Sequence, residues 1–150
     1  MPGRFPDRPA WGELPLLVDT SAFARAHHEP VRESWIEALR AGRLRLTPTA
    51  RQEILRSARD GIAFDELAAD LSVVRSAPLT PAVFRAADAA MRTLAHRSAG
   101  AHNMPITDYQ IAAAAQEIGA AVIHYDRHFD TLAEVMAFES VWLAPPGSLP

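Results

Sequence analysis

Three short segments of this chain each place an aspartate at the end of an apolar run, and their spacing constrains the fold. They are residues 16–19, 105–108 and 122–126. An apolar run without alternation is typical of a strand that helices cover on both faces, as in parallel sheets. The carboxyl ends of parallel strands meet at one edge of the sheet. We therefore expect Asp19, Asp108 and Asp126 to share a pocket at that edge.

The periodicity of the remaining chain predicts strands that alternate with helices, and hence an α/β sandwich with a mostly parallel sheet. Strands are predicted at residues 14–18, 44–46, 71–74, 121–125 and 138–143. Helices are predicted at residues 20–26, 31–41, 64–71, 108–118 and 129–135, and after Thr47 and Thr80. Thr20 or Ser21 is the expected cap of the first helix, and Thr107 that of the helix at 108–118. This last helix is apolar almost all round, so we expect it to be central and buried.

Length and composition predict one domain at residues 14–145, preceded by a lead-in at 1–13 and followed by a tail at 146–150. The lead-in is rich in proline and glycine and is expected to be flexible. No apolar run approaches the ~20 residues that cross a bilayer, and the chain shows neither a secretory signal nor a cysteine. These features favour a cytoplasmic protein without a membrane partner.

The basic residues exclude several chemistries. All 15 of them are arginine, and without lysine neither a P-loop nor a pyridoxal phosphate Schiff base is possible. A net charge of −3 is also not that of a generic nucleic-acid binder. Arginines are frequent between residues 25 and 59, where they form either a surface that positions a phosphate backbone or an ordinary solvated face.

Four acids are the candidate site residues: Asp19, Glu53, Asp108 and Asp126. Two carboxylates in contact repel each other by about 1 kcal/mol in water, and by more when they are desolvated. The commonest use of such a cluster is to hold a hard divalent cation. Such an ion lowers the pKa of a bound water and neutralises phosphate oxygens, which is the chemistry of phosphodiester cleavage.

The coordination habits of Mg²⁺ suggest separate roles for the four acids. Because Mg²⁺ keeps several waters and needs one or two direct carboxylates, Asp19 and Asp108 are assigned as the principal ligands. Glu53 and Asp126 then hold outer waters, bind a second ion or orient the attacking water. Thr20, Ser21 and Thr107 are the candidates to hydrogen-bond the neighbouring carboxylates and so hold them in place. The neighbouring His124 and His128 are assigned to packing or surface positions, and Asp130 to a surface acid or a helix cap.

Four segments, in this order, resemble the PIN-domain family and within it the VapC-type ribonuclease toxins. They are residues 16–23, 47–55, 105–115 and 119–130. The resemblance implies a PIN-like three-layer sandwich, with a mostly parallel central sheet flanked by helices. It also implies an endoribonuclease that uses Mg²⁺ or Mn²⁺, cuts RNA, pairs with a cognate VapB-type antitoxin and forms a homodimer. The four acids match the four catalytic acids of the family position by position.

Two alternative functions remain open from the sequence. The first is a PIN-like nuclease for RNA maturation, and the second is a non-catalytic module whose acidic pocket binds a basic partner. The sequence also leaves open whether certain apolar residues line a groove for an antitoxin helix or belong to the core. These are Phe23, Trp35, Ile36 and Leu39.

Overall fold

The computed structural model describes residues 11–150, which fold around one five-stranded sheet. The strands are β1 (Leu16–Val18), β2 (Leu44–Leu46), β3 (Arg75–Ser76), β4 (Ala121–His124) and β5 (Glu139–Trp142). Their order across the sheet is β3-β2-β1-β4-β5, and every neighbouring pair is parallel. The predicted α/β class with a mostly parallel sheet is confirmed. The last strand, β5, lies at an edge as expected.

Seven helices connect and cover the strands of this sheet. They are α1 (Thr20–Phe23), α2 (Glu29–Arg40), α3 (Pro48–Arg56), α4 (Gly61–Leu71), α5 (Pro81–Arg97), α6 (Ile106–Ile118) and α7 (His128–Ala133). Thr47 and Thr80 cap α3 and α5 through their side chains, as the sequence predicts. Gly119 ends α6 in the left-handed conformation at φ 67°, which glycine adopts without strain.

The core lies on both faces of the sheet, and α6 with the two central strands forms its most buried part. All residues of β1 and β4 are buried, so helices cover both faces of the sheet at its centre. Residues 108–115 of α6 are also all buried, which confirms the prediction of a central helix. Its alanines are small, and they allow the helix to pack closely against its neighbours. The α6 segment therefore places Asp108 in the interior of the molecule.

Several element boundaries differ from the predictions. The strand predicted at residues 71–74 lies instead at Arg75–Ser76. The prediction missed this position because both residues of the strand are exposed and carry no apolar pattern. The first helix is shorter than predicted, and its cap is Asp19 rather than Thr20 or Ser21. Thr107 is not a cap either, because α6 begins one residue before it, after Pro105. In both cases the predicted cap lies one or two residues after the observed one.

Both ends of the described chain pack on the domain. The buried Trp11 donates a hydrogen bond from its indole nitrogen to the Leu143 carbonyl at 3.2 Å. Near the other end, Leu149 is buried, and its backbone N–H donates to the Tyr125 hydroxyl at 2.8 Å. The predicted flexible lead-in falls mainly on residues 1–10, which lie outside the described residues. Within residues 11–150, no helix combines the length and the apolar character needed to cross a membrane.

Candidate active site

The sheet brings the three predicted aspartates to one edge. Asp19 follows β1 directly, and its backbone N–H donates to the carbonyl of Ile123 in β4 at 3.0 Å. Asp126 comes two residues after β4, and Asp108 lies in the first turn of α6. The negative charges of Asp19 and Asp126 both act to raise the pKa of Asp108, as expected for carboxylates that share a pocket.

Asp19 is buried and held by its neighbours along the chain. Its Oδ2 accepts a hydrogen bond from the Ser21 backbone N–H at 3.1 Å and a short one from the Ser21 hydroxyl. Ser21 Oγ in turn accepts the backbone N–H of Tyr125 at 2.9 Å, which ties this carboxylate to the end of β4. Thr20 contributes its backbone amide to Asp19. Burial raises the pKa of Asp19 above its ordinary value, and these hydrogen bonds oppose the rise.

Asp108 is the most perturbed acid of the site. Its side chain is only 8% exposed, and burial, with the neighbouring charge of Asp19, raises its pKa from 3.8 to about 6. A hydrogen bond with His128 acts in the opposite direction. An acid in this environment is costly to ionise unless a positive charge lies beside it. The pocket therefore favours a bound cation.

His128 joins this cluster, although the sequence analysis assigned it to packing or to the surface. Its Nδ1 lies 2.8 Å from Asp108 Oδ2 and 3.5 Å from Asp126 Oδ1. Asp126 Oδ1 also accepts the backbone N–H of His128 at 3.0 Å, which begins the turn into α7. One ligand atom each from Asp108, Asp126 and His128 lie within 4.8 Å of one another. The only sequence signal for His128 was its position two residues after Asp126.

Glu53 borders the cluster from α3. The Thr107 hydroxyl donates to Glu53 Oε1 at 3.2 Å, so the residue before Asp108 connects the two helices. Glu53 is half-buried, and it is not among the three residues whose ligand atoms form the compact group. The compact group thus consists of Asp108, Asp126 and His128. Asp19 is not part of it either, but its charge acts on Asp108 and raises that pKa, whereas Glu53 lies at the margin.

A hydrogen-bond chain that runs from the buried His124 to the exposed Asp130 supports the backbone of Asp126. The backbone N–H of Asp126 donates to His124 Nδ1 at 3.2 Å, and His124 Nε2 lies 2.6 Å from Ser140 Oγ. Because Nδ1 accepts, the neutral imidazole carries its proton on Nε2 and donates it to Ser140. Ser140 then donates to Asp130 at 2.9 Å, which also accepts the indole N–H of Trp142 at 3.0 Å. Burial lowers the pKa of His124 to about 4, so it is neutral at pH 7.

Two pockets of different character lie near this edge. A polar pocket of about 310 Å³ is lined by Thr49, Gln52, Glu53, Arg56 and Thr107. An apolar groove of about 220 Å³ is lined by residues that include Phe23, Trp35, Leu39, Leu46 and Val74. Of the four apolar residues for which the sequence leaves a groove or the core open, Phe23, Trp35 and Leu39 line this groove and Ile36 does not. The polar pocket shares Glu53 and Thr107 with the acidic edge.

The donor set fits a divalent cation. Asp19, Asp108 and Asp126 offer carboxylate oxygens, the ligands that Mg²⁺ and Mn²⁺ prefer, and His128 adds an imidazole nitrogen. Burial first, and then the negative charges of Asp19 and Asp126, raise the pKa of Asp108, so its ionised form is disfavoured. A bound cation would oppose this effect and hold the carboxylates in their ionised form.

Comparisons with known proteins find relatives that match most of this chain. The family model described as PIN domain matches residues 16–135. Ribonuclease VapC18 of Mycobacterium tuberculosis is 37% identical over 136 residues, which are 89% of this chain and 98% of that protein. Ribonuclease VapC51 of the same organism is 33% identical, with 91% of this chain and 98% of that protein covered.

Solved structures show the same fold at low sequence identity. The crystal structure of DNA-bound VapBC from Salmonella typhimurium includes a chain with a TM-score of 0.66 and 16% identity, covering 88% of this chain and 100% of that one. In the VapBC-5 structure from Mycobacterium tuberculosis the TM-score is 0.62 and the identity 22%, with 85% and 97% covered. At these identities the likeness supports the PIN-like three-layer arrangement and nothing finer.

Proposed function

This chain belongs to the PIN-domain family, and on that premise we propose that it is a metal-dependent endoribonuclease, the toxin of a VapBC-type toxin–antitoxin pair. Its relatives named VapC are ribonucleases, and the chain matches nearly their whole length. The observation that carries the proposal is the compact group of Asp108, Asp126 and His128 at one sheet edge, with the charge of Asp19 acting on Asp108. An acidic cluster of this kind is suited to a divalent ion that acts on a phosphodiester.

The ligands follow from burial and position. We assign Asp19 and Asp108 as the principal ligands of Mg²⁺ or Mn²⁺, and Asp126 and His128 as residues that complete or support the coordination. When bound, the ion supplies charge neutralisation for the phosphate and a water of lowered pKa. Ser21 fixes the orientation of the Asp19 carboxylate through its hydroxyl and its backbone N–H. A ligand held in this way needs little reorganisation when the substrate binds.

Glu53 is the proposed acceptor of the proton of the attacking water. The Thr107 hydroxyl donates a hydrogen bond to Glu53 Oε1. Within residues 11–150, no side chain or backbone N–H donates to Glu53 Oε2. That oxygen is available to take a proton as the water attacks phosphorus and the bond to the leaving ribose oxygen breaks. The half-buried position of Glu53 keeps it close to solvent and to the entering RNA.

The partner that we propose is a VapB-type antitoxin, and the solved relatives include VapBC complexes. The apolar groove lined by Phe23, Trp35 and Leu39 would take the apolar face of one antitoxin helix. These three side chains are half-buried against the core, and a partner helix would cover the apolar surface that they leave exposed. The homodimer that the family resemblance implies remains a prediction.

The test is cleavage of total bacterial RNA by antitoxin-free protein, with and without Mg²⁺ or Mn²⁺, followed by sequencing of new 5′ ends. We expect discrete cuts that require the ion and disappear in the Asp19→Asn variant. The exposed Asp88 on α5 provides a matched control, and Asp88→Asn should cut like the wild type. If folded protein makes no cut that depends on the metal, the site would instead serve to bind a basic partner.

A further inference from the structure

The polar pocket beside Glu53 is built mainly from one face of α3. Thr49, Gln52, Glu53 and Arg56 are spaced so that they lie on the same side of the helix. The opposite side packs on the core through Ala50, Ile54 and Leu55. Thr107 closes the pocket from the start of α6. The position of the four pocket side chains is therefore fixed by the burial of the other helix face.

The lining side chains fall into two groups by their contacts. Three are already engaged: the Thr49 hydroxyl donates to Gln110 Oε1 at 2.6 Å, and the Thr107 hydroxyl donates to Glu53. Gln52 and Arg56 are exposed, and their side chains make no hydrogen bond or ion pair with any residue between 11 and 150. The pocket thus presents one amide and one guanidinium that have no partner in this part of the chain.

These two free groups match the chemistry of a nucleotide. A guanidinium binds phosphate oxygens through two parallel hydrogen bonds. An amide offers both a donor and an acceptor, which is what the edge of an unpaired base presents. The volume of about 310 Å³ lies at the lower end of the range for small-ligand sites, which begins near ~300 Å³.

The positions of Glu53 and Arg56 along α3 determine which end of a bound nucleotide would lie at each end of the pocket. Glu53 lies at the end of the pocket nearest to the acidic edge, through its hydrogen bond with Thr107. Arg56 follows three residues later, about 4.5 Å further along the helix axis. A phosphate would be repelled by Glu53 and attracted by Arg56, so it is expected at the Arg56 end. The base or ribose then lies towards Gln52 and the reacting bond.

We propose that this pocket is a subsite for one nucleotide of single-stranded RNA adjacent to the scissile bond, with Arg56 binding its phosphate and Gln52 contacting its base. The inference rests on the proposed ribonuclease function, since the pocket shares Glu53 and Thr107 with that site. It names two specificity residues that lie outside the acidic cluster. An acidic protein segment is the competing occupant of the pocket. Its carboxylates would pair with Arg56 but would leave the side-chain amide of Gln52 without a ligand contact.

The experiment compares Arg56→Gln with Arg51→Gln, two variants that remove the same charge from the same helix. Arg51 is exposed and does not line the pocket, so it is the matched control. Binding of fluorescein-labelled 12-nucleotide oligoadenylate, oligocytidylate and oligouridylate is measured in EDTA across a series of salt concentrations. We expect Arg56→Gln to weaken binding by about 10-fold and to lower the salt slope by about 0.7, the value for one phosphate contact on a single strand. Arg51→Gln should match the wild type in both.

Gln52→Ala tests the contact with the base. We expect it to change the relative binding of the three oligonucleotides, and to redistribute the mapped cuts in total RNA by the nucleotide beside the cleaved bond. In cleavage assays Arg56→Gln should raise KM far more than it lowers kcat, because phosphate contacts position the substrate. Thermal unfolding of each variant confirms that the fold is kept.

The outcomes separate the subsite from the ribonuclease itself. If Arg56→Gln and Gln52→Ala bind all three RNAs with the affinity and salt slope of Arg51→Gln, the subsite is wrong even when the wild type cuts RNA. If the wild type binds RNA through Arg56 but makes no cut with either metal, the proposed ribonuclease fails, and with it the placement of the subsite beside a scissile bond; only the RNA contact of Arg56 then stands. A loss of antitoxin binding in Arg56→Gln with unchanged RNA binding would assign the pocket to the protein partner and overturn the inference.

Discussion

His128 Nδ1 lies 2.8 Å from Asp108 Oδ2, and this contact places an imidazole in an otherwise carboxylate site. The two residues belong to different helices, α7 and α6, and Asp126 lies 3.5 Å from the same nitrogen. Carboxylate oxygens alone suit Mg²⁺ and Mn²⁺ alike, whereas an imidazole nitrogen favours the transition metal. His128 is therefore the residue that should set the preference between the two ions.

We expect the wild type to reach half-maximal cleavage at a lower concentration of Mn²⁺ than of Mg²⁺. His128→Gln should reduce this Mn²⁺ preference by about 10-fold, because the nitrogen ligand is lost while the carboxylates remain. The measurement is a titration of initial cleavage rate with each ion. His96→Gln, on the exposed face of α5, is the control and should leave the ratio unchanged. An unchanged ratio in His128→Gln would show that the imidazole does not bind the ion.

Asp108→Asn should abolish cleavage and stabilise the metal-free protein. The folded pKa of Asp108 is about 6 against an ordinary value of 3.8, and one pKa unit corresponds to about 1.4 kcal/mol. Ionised Asp108 therefore costs up to about 3 kcal/mol of unfolding free energy at pH 7.5, and the amide removes that cost. Urea unfolding in EDTA measures the difference, with Asp88→Asn as the control. A variant that unfolds at lower urea than the wild type would mean that the carboxylate is structural.

The same shift predicts how the difference depends on pH. A folded pKa above the unfolded one means that the folded state binds more protons between pH 4 and pH 6, so stability falls as the pH rises through that window. Asp108→Asn lacks this dependence. The unfolding free energy of Asp108→Asn should therefore exceed that of the wild type by the full amount above pH 6, and this difference should shrink towards pH 4.

His124 should show the opposite behaviour. Burial lowers its folded pKa from 6.5 to about 4, so the unfolded state binds more protons between these values and stability is lost as the pH falls. The full loss is about 3 kcal/mol at 1.4 kcal/mol per pKa unit. Its imidazole resonances, followed by NMR, should stay at the neutral position from pH 7 down to pH 5. A titration midpoint near 6.5 would mean that the ring is not buried in the chain of hydrogen bonds to Ser140.

The aspartates were predictable because the signal lies within short segments. β1 is apolar throughout and β4 is apolar up to its last residue, His124. Neighbouring parallel strands must end at the same edge, so Asp19 and Asp126 are placed by the strand ends alone. The segment of α6 is alanine-rich and apolar on almost all sides, which predicted a buried helix, and Asp108 lies at its start. In each case a residue type and its local pattern determine the position.

His128 could not be placed in this way. Its position depends on the turn after β4, where Asp126 accepts its backbone N–H, and on how α7 packs beside α6. Both are tertiary features that a short sequence window does not contain. The strand Arg75–Ser76 was misplaced for a related reason, since it is defined by pairing with β2 and not by any apolar residue of its own.

Ser21→Ala should reduce cleavage without unfolding the protein. The substitution removes two hydrogen bonds of Ser21 Oγ, one to Asp19 and one from the Tyr125 backbone N–H. Loss of such bonds at a half-buried position costs about 1–3 kcal/mol, and we expect a fall in kcat/KM of about 10-fold or more at saturating metal. Ser98→Ala, at an exposed position after α5, is the control. Ser21→Thr keeps the hydroxyl and should recover part of the activity, whereas equal loss in both variants would point to packing.

The apolar groove provides a prediction for the antitoxin. Leu39 lines the groove, and Ile36 on the same helix does not. Burial of a leucine side chain contributes about 1.5–3 kcal/mol, so Leu39→Gln should weaken binding of the cognate antitoxin by about 10- to 100-fold. Ile36→Gln should change it by less than about 3-fold, and both variants should cut RNA at the wild-type rate when the antitoxin is absent. Calorimetric titration of each folded variant gives the affinities. Equal affinities for Leu39→Gln and Ile36→Gln would place the antitoxin on another face of the domain.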